Sequence, residues 1–74
     1  MTEKQLIAFL NALTLGDLAS LLQKLDQAAG ASAALGHEEI TTILREARGA
    51  LGGGDVRGYR RKLETAIARL GHVK

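Results

Sequence analysis

Thr14-Leu15-Gly16-Asp17-Leu18-Ala19-Ser20-Leu21-Leu22-Gln23-Lys24-Leu25-Asp26 is the stretch that decides the fold of this 74-residue chain. Leu15, Leu18, Leu22 and Leu25, continued by Ala29, recur at the three- and four-residue steps that line one face of an α-helix. Leu21 broadens that stripe. Thr14 is expected to cap the helix, with Asp17 three residues on, at the positive end of the helix dipole. Gly30 stands where a left-handed residue would end it.

Upstream, Thr2 and Gln5 have the spacing of a capping box, so a first helix is expected to start at Thr2. Leu6, Phe9, Leu10 and Leu13 then fall on one face, and Ile7 widens it. Downstream, residues 31–36 are small and without periodicity, which predicts a linker or loose turn. A third helix follows from about His37 to Leu51, with Glu38 and Glu39 in its first turn and Ile40, Ile43, Leu44, Ala47 and Leu51 inward. Gly52-Gly53-Gly54 stops it, and Asp55 caps a fourth helix with Val56, Tyr59, Leu63, Ile67 and Leu70 inward, ending at Gly71. The expectation is an all-α chain of four short helices forming two helical hairpins, 1–30 and 37–71, within one small domain.

Composition agrees with the pattern. Leu and Ala dominate, Pro is 0 and aromatics are 3%. These proportions favour helices over strands. Cys 0 excludes a disulfide framework and fits a reducing compartment. The opening residues do not read as a secretory signal, Asn11 breaks the apolar run behind them, and no apolar run approaches the roughly 18 residues of a membrane span. A cytoplasmic protein with no membrane partner is expected.

A chain this short buries little surface on its own. Two packed helices hide one stripe apiece, yet the first two carry Leu6, Ile7, Phe9, Leu10, Leu13, Leu15, Leu18, Leu21, Leu22 and Leu25. Each leucine left in water forgoes roughly 1.5–3 kcal/mol. Either the second hairpin or another chain must cover the excess. Leu6, Phe9, Leu10, Leu13, Leu15, Leu18, Leu21, Leu22 and Leu25 are therefore the expected interface, with a bundle completed by dimerisation.

The run from Leu13 to Asp26, followed by Gly30-Ala31-Ser32-Ala33-Ala34, resembles the N-terminal domain of the bacterial ribosomal stalk protein, in register from Leu13 to Ala34. The likeness covers about the first half of the chain. It implies a dimerisation hairpin in which Leu15, Leu18, Leu22 and Leu25 form the dimer core, with Phe9, Leu10 and Leu13 beside them. In that family the paired hairpins hold a long helix of the stalk-base protein. Here Ala29 stands where the family has a large aromatic, and the second hairpin replaces its flexible linker and factor-binding domain. What carries over is the tendency to form a homodimer.

Catalytic chemistry finds little material. Ser20 and Ser32 have no nearby histidine and no nucleophile-elbow glycines, and the triple glycine lacks the Lys-Ser/Thr of a phosphate loop. His37 has Thr41, not a ligand, one turn on, and His72 stands near the C-terminus, so no metal and no cofactor are expected. Charge offers a second reading. Up to Gly36, Lys4 and Lys24 face Glu3, Asp17 and Asp26 (net −1); from His37 eight basic side chains face five acidic ones (net +3). Arg57, Arg60, Arg61 and Lys62, extended by Arg45 and Arg48 if helices 3 and 4 pack antiparallel, would give a phosphate-binding face. Arg60 also has Glu64 within pairing distance along the helix. The leading expectation is a non-enzymatic module that homodimerises and binds an unidentified protein. The alternative is a small basic nucleic-acid-binding or regulatory protein.

Overall fold

The structure, a computed structural model, describes residues 2–14 and 16–71. Four α-helices follow one another: α1 Glu3–Asn11, α2 Leu18–Ala34, α3 Glu38–Gly52 and α4 Val56–Gly71, with a single 3-10 turn at Ala12–Thr14. Leu15 and His72, considered above, lie outside the described residues.

The expected capping box opens α1. Gln5 N–H donates to Thr2 Oγ1 at 3.2 Å and Thr2 N–H to Gln5 Oε1 at 2.9 Å, pairing two N–H groups that the helix leaves without partners. The start expected at Thr14 is corrected: α2 begins at Leu18, and the Asp17 carboxylate accepts from Ser20 N–H at 2.7 Å. The end expected at Gly30, and the linker over 31–36, are corrected too. Ala28, Ala29 and Ser32 continue the buried stripe past Gly30, so α2 runs to Ala34.

Helices α2 and α3 end in the same way. Gly36 (φ 84) donates to Ala33 O and His37 to Ser32 O; Gly54 (φ 86) donates to Leu51 O and Asp55 to Ala50 O. This is the Schellman arrangement, in which a left-handed residue pairs the last helix carbonyls. Only glycine adopts that backbone without strain. Asp55 then caps α4 by accepting from Gly58 N–H at 2.9 Å.

Contacts between helices give the topology. Glu39 pairs with Arg69 and Glu46 with Lys62, so α3 and α4 run antiparallel. Asp26–Arg48 and Ser32–Thr41 set α2 against α3 in the same way. Glu3 meets His37 at the α2–α3 turn, while Leu13 meets Tyr59 near the start of α4, so α1 lies antiparallel to α2 and α4. The result is an up-down-up-down four-helix bundle. Its radius of gyration is 11.0 Å, close to the roughly 11 Å of a compact chain this long. The two hairpins pack on each other.

The core joins Leu6, Leu10 and Leu13 to Leu21, Leu25, Ala28 and Ala29, all five inward residues expected of α3, and Tyr59, Leu63, Ala66 and Leu70 of α4. On α4 the expected inward set holds for Tyr59, Leu63 and Leu70 and is corrected at Val56. Ala66 is enclosed, Ile67 is half-buried, and Val56 stands exposed at the helix start. A small polar cluster closes the α2–α3 turn: Ser32 Oγ donates to His37 O, and Thr41 Oγ1 lies 2.9 Å from both Ser32 Oγ and that carbonyl.

Candidate interaction surface

The leucine excess is sheltered within the chain. Leu6, Leu10 and Leu13 are 0% exposed, Leu25 is 1% and Leu21 8%, all beneath the second hairpin. Phe9 and Leu22 are half-buried against the same core. The interface expected along the first hairpin is therefore corrected: Leu6, Leu10, Leu13, Leu21 and Leu25 reach a second chain only if the bundle opens. Leu18 alone among the described members of that set is exposed, at 52%.

Leu18 is not isolated. It forms one lip of an open cleft of about 390 Å³ at the end of the bundle where α2 and α4 begin. Val56, the other exposed large hydrophobic side chain among the described residues, is also in its lining. Leu21, Leu51 and Tyr59 line its interior, Gly16 and Gly54 contribute backbone only, and Arg60 completes the lining. The local sequence explains the recess. Gly16, at φ 141, turns the chain into α2, and Gly54, in the left-handed region, turns it out of α3; neither brings a side chain into the space between.

Tyr59 is buried, and its hydroxyl donates to Leu13 O at 2.7 Å. Burial pushes its pKa up, with the charge of Arg60 opposing. The cleft thus offers an apolar interior and one cationic side chain, that of Arg60. That chemistry suits holding a side chain. It supplies no group that exchanges protons near neutral pH.

The six-residue basic face divides. Helices α3 and α4 are antiparallel, but the side chains that α3 turns to α4 are Glu39 and Glu46. Arg48 turns to α2, where its Nε lies 2.8 Å from Asp26, and Lys62 is held by Glu46 at 3.5 Å. Arg45 lies beside a second, more polar groove with Ala33, Glu38, Thr41 and Thr42. The Arg60–Glu64 pair does not form; among the described residues Arg45, Arg57, Arg60 and Arg61 make no ion pair. Arg57, Arg60 and Arg61 fall on the first two turns of α4, and Arg60 lines the cleft.

At the far end, His37 Nε2 lies 3.4 Å from Glu3 Oε1. The Glu3 carboxyl is held below the usual carboxylate range, first by hydrogen bonding to its own backbone N–H and then by His37, with a small opposing loss of hydration. Among the described residues no group of three or more His, Cys, Asp or Glu is placed to hold a metal ion, and no buried side-chain nitrogen or oxygen lacks a partner. No described helix is long and apolar enough to cross a membrane. No protein-family model, curated protein or solved structure matches the chain.

Proposed function

We propose that this chain is a non-enzymatic helical module for protein–protein interaction, and that it engages its partner through the cleft between Leu18 and Val56. One observation carries the reading. Among the described residues, the two large hydrophobic side chains left exposed are both in the lining of one apolar recess. Scattered apolar side chains are ordinary on a protein surface; convergence on a concave site is what marks an interface. Self-association, expected from the leucine count and the stalk likeness, loses most of its support with the enclosure of Leu6, Leu10, Leu13 and Leu25. Of the expected interface, Leu18 is exposed and Phe9 and Leu22 are half-buried, and a homodimer would draw on these.

Site-specific photo-crosslinking tests the proposal. A photoreactive side chain at Val56 should give a protein adduct in cells, while one at exposed Thr42 should not. The partner identified at Val56, once purified, should bind the native chain and not the Leu18→Asp variant. Equal adducts at Thr42, or equal affinity for the variant, would sink the reading.

A further inference from the structure

We infer that the occupant of the cleft is an acidic segment of another protein, carrying a large apolar side chain between carboxylates. The inference rests on the docking role proposed above and adds the chemistry of the partner. Arg60 lines the cleft, Arg57 and Arg61 are exposed on the same two turns of α4, and none of the three makes an ion pair among the described residues. By contrast, Arg48, Lys62 and Arg69, farther along the bundle, each have a carboxylate from a neighbouring helix. The two acids nearest the cleft are already engaged. Asp17 accepts from Ser20 N–H and Asp55 from Gly58 N–H, so both are committed to helix N-termini.

Charge decides between occupants. A twofold interface sets a patch against itself. A second copy seated here would gather two sets of these unpaired guanidinium groups, opposed by the cap-bound Asp17 and Asp55 and one Glu64 per chain. A partner with carboxylates flanking its apolar anchor gives each arginine a counter-charge, and guanidinium groups receive carboxylates in a two-pronged geometry. Nucleic acid fits less well. Single strands are held by exposed aromatic faces on which bases stack, and the one aromatic in this cleft, Tyr59, is 3% exposed with its hydroxyl already donated to Leu13 O. Leu21 and Leu51 offer base edges nothing to bond. Affinity would come from the anchor in the recess, and orientation and association rate from the arginine rim.

The test titrates the isotope-labelled full chain, by NMR, with three twelve-residue peptides. One carries Leu-Phe at its centre with Asp and Glu on both sides, one replaces Leu-Phe by Ser-Ser, and one replaces the acids by Lys. The acidic Leu-Phe peptide should saturate, with shifts centred on Leu18, Leu21, Leu51 and Val56, and the other two should not. Its affinity should fall about tenfold in the Arg57→Glu/Arg60→Glu variant and fall further with added salt. Equal binding of the lysine peptide, preference for a single-stranded oligonucleotide, or no saturation by any peptide would overturn the inference. So would a Val56 adduct consisting of the chain itself, with a dimer in sedimentation that Leu18→Asp dissolves; that result would leave the docking role standing. Adducts at Thr42 equal to those at Val56 would remove the docking role itself.

Discussion

The Tyr59 hydroxyl donates to the carbonyl of Leu13 at 2.7 Å, a buried bond spanning 46 positions of sequence. Leu13 lies in the 3-10 turn that follows α1, where carbonyls have lost their helical acceptor role and need a donor. The bond therefore pins the end of the first helix to the fourth. Tyr59→Phe keeps the ring and leaves that carbonyl buried without its donor, so it should destabilise by about 1–3 kcal/mol. Urea unfolding monitored by circular dichroism measures this, and a loss below a few tenths would show that water replaces the hydroxyl.

The same residue sets an alkaline limit. Burial raises the Tyr59 pKa in the folded chain, whereas an unfolded tyrosine titrates near ~10. The unfolded chain therefore releases the proton first. Stability should hold below about pH 10 and fall as pH rises through the higher folded pKa. The Tyr59→Phe variant should lack this part of the alkaline decline, and parallel curves for the two proteins would refute it.

Two glycines separate the expected end of α2 from the observed one. Gly30 lies within the helix, exposed, with no atom within 4 Å of an added Cβ. Gly30→Ala should therefore stabilise by about 0.5–1 kcal/mol. Gly36 has φ 84, and Gly36→Ala should cost about 1–2 kcal/mol for the left-handed backbone. If the helix ended at Gly30, the order of the two effects would reverse. Melting temperatures of both variants decide it.

These glycines also indicate what was readable in the sequence. The five inward residues of α3 form a single unambiguous stripe, and all are buried. The Thr2–Gln5 box and the Asp55 cap are local motifs, and both form. Residues 31–34 hid their helix because alanine and serine carry no contrast between faces; the buried Ser32, held by His37 O and Thr41, reveals it only in three dimensions. On α4, the bulk of Val56 is no guide to its burial, while the small Ala66 is enclosed and Ile67 packs partly buried beside it. The leucine count was right in demanding cover, but whether the second hairpin supplies it depends on contacts such as Tyr59 to Leu13, which no local pattern encodes. The cleft is not legible in the sequence because Gly16 and Gly54, which leave room for it, contribute no side chain.

Acid should loosen the other end of the bundle. The Glu3 pKa lies below its ordinary value in the folded chain, so the unfolded chain binds a proton first as pH falls. The contribution is present above about pH 4.3, the unfolded value, and is lost as pH drops through the lower folded one. Glu3 is well solvated and the effect is small. Glu3→Gln should lower the urea midpoint slightly at pH 6 and match the native chain near pH 3. A difference that persists at low pH would mean the side chain matters by shape and not by charge.

Leu18 and Leu25 sit seven residues apart on α2, and the expected interface treated them alike. Leu25 is 1% exposed and Leu18 52%. Leu25→Asp would bury a carboxylate without a partner, a cost of several kcal/mol added to the roughly 2–5 kcal/mol of lost packing, and should unfold the chain. Leu18 is the first residue of α2, where an acidic side chain is favoured by the helix dipole. Leu18→Asp should leave the unfolding free energy within about 0.5 kcal/mol of native. It should also eliminate binding at the cleft by placing a carboxylate on its lip. Equilibrium unfolding of both variants gives the answer: if Leu18→Asp unfolds the bundle as Leu25→Asp does, Leu18 belongs to the core and the cleft is not a docking surface.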